Sequence, residues 1–111
     1  MAATIDINRK RGDTRRISFE IISEGVAVDI STWTSFLLTV DPSKAPDDDT
    51  TKLEQMNGVI SNGPSGRVHF VPSGTIAVGK WFYDCQAIDD NGEKVTFAEG
   101  KYTVTQDITK Q

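Results

Sequence analysis

The chain is predicted to fold as an all-β domain, a sandwich or barrel of seven to nine short strands. Three observations carry that expectation. Apolar and polar residues alternate with period two through nearly the whole sequence, the pattern of half-buried strands. Most of the nine glycines and four prolines fall between the apolar stretches, where they read as turns. No segment keeps an amphipathic helical period over three turns. At 111 residues, with no internal repeat and no linker-like stretch, residues 1–111 are expected to form one domain around one core.

The elements follow in order. In "RRISFEIIS", Ile17, Phe19 and Ile21 share a face while Ser18 and Glu20 point away. A turn at Glu24-Gly25 precedes "VAVDI", which groups Val26, Val28 and Ile30, and "WTSFLLTV" aligns Phe36, Leu38 and Val40. The stretch from Asp41 to Thr51, with two prolines and the run Asp47–Asp49, reads as a surface loop because like charges repel and apolar content is negligible. A weaker strand is expected through Leu53 and Met56 to Ile60, then the turn "SNGPSG" and a strand pairing Val68 with Phe70. The strongest segment, "GKWFYDCQAI", places Trp81, Tyr83, Cys85 and Ala87 on one side and Phe82, Asp84, Gln86 and Ile88 on the other. Asn91-Gly92 suits a two-residue hairpin turn with positive φ at both positions. A returning strand carries Val95 and Phe97, and a separate last strand after Gly100 aligns Tyr102 and Val104.

Composition narrows the function classes. The single cysteine, Cys85, closes no intrachain disulfide and nothing requires an oxidising compartment. No apolar run reaches membrane-spanning length and the first twenty residues lack a signal-peptide core, so synthesis in a cytoplasm and no membrane partner are expected. A net charge of −4 argues against general nucleic-acid binding, which depends on neutralising phosphates. The charge is uneven. Residues 1–16 carry Arg9, Lys10, Arg11, Arg15 and Arg16 against Asp6 and Asp13, a balance of +3. The other 95 residues carry seven basic and fourteen acidic groups, a balance of −7, so a basic patch on an acidic body is expected.

No catalytic or metal constellation emerges. The only histidine, His69, lies opposite Val68 and Phe70 on the solvent side of its strand, whereas Cys85 shares the core parity of Tyr83, so a Cys-His dyad is not expected. Phosphate loops, nucleophile elbows and zinc-ligand spacings are missing from the sequence. Asp47–Asp49 and Asp89–Glu93 offer oxygen ligands, but the second lacks spaced carboxylates and a distal bidentate glutamate; no metal or cofactor is expected. The tripeptide Arg11-Gly12-Asp13 reads as a turn, because glycine supplies the unusual backbone and aspartate before threonine bonds its own main chain.

With the strands placed, the chain resembles the immunoglobulin-like N-terminal domain of phage baseplate upper proteins. The residues that carry the likeness are "INRKRGDTRRISFEI", "GVAVDIS", "SGRVHF" and "GKWFYDCQAIDDNGEKVTFAEGKYTVTQDIT". The family's Arg-Gly-Asp-Thr turn is matched by Arg11–Thr14, its Ala-Val-Asp-Leu-like segment by Ala27–Ile30, its Gly-x-Tyr/Trp-x-Tyr-Asp strand by Gly79–Asp84, and its closing segment by Gly100–Thr109. The match is weakest at 41–54. The resemblance implies an immunoglobulin-like antiparallel β-sandwich and a structural role in a virion without catalytic residues. Tyr83-x-Cys85-x-Ala87 is also similar to the antibody strand that bears a tyrosine corner and the second disulfide cysteine, although no facing cysteine exists here.

The expected function is therefore a non-enzymatic bacteriophage virion protein of the tail, baseplate or head, made in the host cytoplasm and assembled with other virion proteins. Arg9, Lys10, Arg11, Arg15 and Arg16 are the candidate docking surface for an acidic neighbour. Gly12, Asp13, Thr14, Asn91 and Gly92 are assigned to structural turns, and Thr4–Asn8 and Lys101–Ile108 to exposed edge strands open to pairing. An alternative is a receptor- or glycan-binding module using Trp33, which is out of phase with Phe36, Leu38 and Val40 and is either exposed or a cap on the core.

Overall fold

The computed structural model describes residues 3–42 and 52–106. Among them the only regular structure is β, in eleven strands: β1 (Ala3–Thr4), β2 (Ile7–Lys10), β3 (Ile17–Glu20), β4 (Ile22–Ser23), β5 (Val26–Ala27), β6 (Thr34–Asp41), β7 (Glu54–Asn57), β8 (Val59–Asn62), β9 (Arg67–Phe70), β10 (Gly79–Ile88) and β11 (Lys94–Thr105). The count exceeds the expected seven to nine because three of these are two-residue pairings.

The larger sheet runs β1-β11-β10-β6-β7, with β2 continuing along β11 beyond β1. A smaller sheet runs β3-β9-β8, and β4 and β5 form a separate hairpin. Not all pairing is antiparallel as expected. Both β1 and β2 lie parallel to β11, through Ala3 opposite Ala98 and Ile7 opposite Tyr102. That arrangement also corrects the edge assignment: β11 has neighbours on both sides, so Lys101–Thr105 is interior, while Asp107 and Ile108 lie outside the described residues.

One apolar core joins the two sheets. Its period-two logic is direct: Ile17 and Phe19 of β3, Val68 and Phe70 of β9, Phe36, Leu38 and Val40 of β6, and Tyr83, Cys85 and Ala87 of β10 all point inward. Phe19 is the hub. Its ring meets Phe70 and Phe97 edge-on, at 5.9 Å and 6.0 Å, and lies 6.3 Å from Tyr83 across the sheets. Such edge contacts add to the area term because the positive ring edge meets a negative face.

Irregularities decide where parity changes. On β11, Cys85 pairs with Ala98 but Gln86 pairs with Thr96, so Phe97 is an extra residue. The bulge turns both Phe97 and Ala98 into the core, which strict alternation forbids. On β6, Ser35 and Phe36 together stand against Ala87, and Ser35 adopts a positive φ of 56°. The expected single strand from Leu53 to Ile60 is split: β7 belongs to the larger sheet and β8 to the smaller. Gly58 is the crossing point, bonded to the Phe36 carbonyl at 2.7 Å, and a Cβ there would lie 2.6 Å from the Phe70 ring.

Four further expectations are corrected. Val26, Val28 and Ile30 do not share a buried face; Ile30 is fully buried, but Val26 is 67% exposed on the tip of the β4–β5 hairpin. The hairpin turn with two positive φ values sits at Glu24 (53°) and Gly25 (79°), whereas at Asn91-Gly92 only Gly92 is positive, at 78°. There the Asp89 carboxylate accepts from the Asn91 and Glu93 amides, both at 2.9 Å, and selects a longer loop closed by a glycine. Finally, β11 is continuous through Gly100, and Asp41 is the buried end of β6 rather than the start of an exposed loop. Residues 43–51, including Asp47–Asp49, lie outside the described residues.

Candidate functional site

The basic segment follows β2 and folds on itself. A turn from Lys10 to Asp13, closed by the Asp13 amide on the Lys10 carbonyl at 3.0 Å, has Gly12 at φ 90°. The Gly12 amide donates to the Gly74 carbonyl, and the Arg11 amide to that of Thr105, which fastens the turn to two neighbouring segments. The Asp13 carboxylate accepts from the Arg15 amide at 3.0 Å and from the Arg15 guanidinium at 2.9 Å. These bonds hold the Asp13 carboxyl well below the usual range, at about 2. Arg9 adds a second ion pair at 3.4 Å and donates to the Arg15 carbonyl at 2.6 Å.

This geometry divides the five cations. The Arg9 side chain is only 9% exposed, because residues on the inward parity of β2 point under the turn, so it is a strut rather than a docking group. Its Nε and Oε1 of Glu54 are buried without a hydrogen-bond partner, and both residues line one small cavity beside Tyr102. The Arg15 guanidinium is exposed yet engaged by Asp13. Lys10, Arg11 and Arg16 are exposed, as is Thr14. Within Arg11–Asp13, the aspartate that an adhesion receptor would need is therefore already paired.

A second feature lies on the outward face of the larger sheet. A groove of about 330 Å³ is lined by Asp6, Asp41, Phe82, Asp84, Glu99 and Lys101, with threonines at its margin. Cross-strand register builds it: Asp84 stands between Thr39 and Glu99, and Phe82 between Asp41 and Lys101. Burial, then the neighbouring Glu99, raises the pKa of Asp84. At the groove's end the link between β1 and β2, Ile5 and Asp6, crosses Gly100. The Ile5 amide donates to the Glu99 carbonyl, the Lys101 amide donates to Asp6, and the Tyr83 hydroxyl donates to the Ile5 carbonyl.

The remaining candidates are structural in their surroundings. Cys85 is fully buried, and burial pushes its thiol up, the opposite of what a nucleophile needs. His69 Nδ1 lies 2.6 Å from Ser61 Oγ on the outside of the small sheet, a pair that sequence reading missed because it depends on the β8–β9 register. Neither residue lines the groove or the small cavity. Trp33 is half-buried and packs against the core. Among the described residues, no group of three or more histidine, cysteine or carboxylate side chains is placed to hold a metal. No protein-family model matches the chain, and no curated protein matches it.

Proposed function

We propose that this chain is a non-enzymatic structural module of a bacteriophage particle, an immunoglobulin-like β-sandwich that works through contacts with other virion proteins. The observation that carries the reading is the strand order. Taking β3, β6, β7, β8, β9, β10 and β11 as B, C, C′, D, E, F and G, the orders read B-E-D and G-F-C-C′, which supports an immunoglobulin-like arrangement with a C′ strand and no C″ between β7 and β8. Tyr83 then falls two residues before Cys85 on strand F, as a corner tyrosine should. Its hydroxyl bonds the Ile5 carbonyl, in the link between β1 and β2, rather than the preceding loop. On strand B, Phe19 occupies the middle of the core in a domain without the inter-sheet disulfide.

The chemistry of the surface agrees with assembly. Its charged features are a cationic rim at Lys10, Arg11 and Arg16 and an acidic groove on the larger sheet, the sort of polar surfaces that steer and orient a protein partner. Other virion proteins with an acidic patch are the partners that the rim would take, with assembly in the bacterial cytoplasm. Mass spectrometry of purified particles from a phage that encodes this chain tests the reading. The expected result is stoichiometric presence in particles; its absence overturns the proposal.

A further inference from the structure

Under the basic turn, two charged side chains each bury one polar atom that has no partner among the described residues. The first is Arg9, which stands beside Val104 on the inward parity of β2, with its side chain only 9% exposed. Its Nη2 is taken up by the Asp13 carboxylate and the Arg15 carbonyl, but Nε–H donates to nothing. The second is Glu54, at the start of β7. Its Oε2 accepts from the Ser73 amide at 2.8 Å, while Oε1 accepts from nothing. The two residues line one cavity, walled by the buried side chains of Tyr102, Ile76 and Val104. Both charges also act on Tyr102: burial raises the pKa of its hydroxyl, Arg9 opposes that rise and Glu54 adds to it.

An unsatisfied buried donor or acceptor is costly, and more so on a charged group. Size and sign limit what can satisfy these two. The cavity offers about 10 Å³ of room, the least that one water molecule needs and too little for anything larger. A cation there would be repelled by the Arg9 guanidinium, and an anion by the Glu54 carboxylate. A small neutral molecule that accepts on one side and donates on the other answers both atoms. We propose that this cavity is a binding site for one structural water, which accepts from Arg9 Nε–H and donates to Glu54 Oε1.

The water completes a hydrogen-bonded chain from the Arg15 carbonyl through Arg9, the water and Glu54 to the Ser73 amide. One end lies in the turn that presents Lys10, Arg11 and Arg16. The other lies between β9 and β10, in a segment that the Gly12 amide already joins at the Gly74 carbonyl, at 3.1 Å. A turn pinned at both points holds its cations in a fixed arrangement, so less order has to be imposed when a partner binds. That consequence rests on the docking reading, whereas the site itself rests on the cavity and its two atoms.

High-resolution crystal structures of the full chain and of two Glu54 variants test the site. The expected result for the parent is one water peak about 2.7–3.2 Å from both Arg9 Nε and Glu54 Oε1. Glu54→Gln should keep the water, because its amide can accept from it or donate to it. Glu54→Leu removes the acceptor and should lose it. In solution, nitrogen-15 NMR should show Arg9 Nε–H exchanging with solvent roughly tenfold or more slowly than the exposed Arg16 Nε–H, and Glu54→Leu should remove most of that difference. A parent map in which Arg9 Nε bonds Glu54 directly, or in which no water lies between them, overturns the inference whatever the variants do. Exchange at Arg9 as fast as at Arg16 in the parent overturns it too. Absence of the chain from virions would remove the particle reading and leave this site standing; a direct Arg9–Glu54 ion pair would do the reverse.

Discussion

Replacing Gly100 by alanine isolates how the first strand is held. A Cβ at this position would press on the Ile5 carbonyl, with its carbon 2.9 Å away and Asp6 Oδ1 at 3.1 Å, so the backbone linking β1 to β2 must move. Three hydrogen bonds depend on that contact: Tyr83 hydroxyl to Ile5 carbonyl, Ile5 amide to Glu99 carbonyl, and Lys101 amide to Asp6. At about 1 kcal/mol each, less about 0.5 kcal/mol regained from a stiffer unfolded chain, Gly100→Ala should cost about 2–3 kcal/mol. For a domain of this length that lowers Tm by about 10 °C. Thermal unfolding followed by circular dichroism measures it, and hydrogen exchange at the Ile5 and Lys101 amides localises it. Because Tyr83→Phe removes one of the same bonds, the double variant should cost less than the sum of the two single changes. A Gly100→Ala protein within about 2 °C of the parent, or strictly additive costs, would refute the reasoning.

Other substitutions probe separate parts. Phe19→Ala removes the ring that meets Phe70, Phe97 and Tyr83, and should cost about 3–5 kcal/mol in urea unfolding, enough to threaten the fold. Glu24 holds a positive φ of 53° in the tight β4–β5 turn, so Glu24→Asn should stabilise by about 0.5–1 kcal/mol in the same assay. The carboxyl of Asp13 has a folded pKa below its unfolded one, so its contribution is complete above about pH 4 and is lost as pH falls through about 2. Amide exchange or proton NMR at Arg15 should show the loop loosening across that window, and Asp13→Asn should abolish the transition.

The core faces were legible because their alternation is uninterrupted. Ile17 with Phe19, Val68 with Phe70, and Tyr83 with Cys85 and Ala87 could be assigned from period two alone. What escaped is whatever shifts the count by one. The bulge at Phe97 turns two consecutive residues inward, and no pattern in "KVTFAEG" marks the inserted one. Gly100 was read as a break because glycine commonly interrupts strands, yet here it lets another backbone approach. At Asn91-Gly92 the dipeptide preference lost to the preceding Asp89 carboxylate, whose two bonds to the loop amides depend on loop length.

The candidate sites were less legible, since both are built from register. The cations near Arg11 were visible as a cluster, but the alternation of Ile7 and Arg9 that buries Arg9 becomes meaningful only once β2 has a partner. The outward groove draws residues from the first strands, β6, β10 and β11. Nothing in a single sequence says that Asp84 and Glu99 face each other.

The parallel pairing of the first strand with the last has a consequence for biosynthesis. Ala3 finds its neighbour at Ala98 and Lys10 at Thr105, so this sheet edge joins residues from opposite ends of the described chain. On a ribosome, the N-terminal segment must wait, unpaired and exposed to the cell, until β11 has cleared the exit tunnel. Closure of this edge is then a late, slow event set by a long loop search, and chaperones or premature pairing with a neighbouring nascent chain compete during that delay.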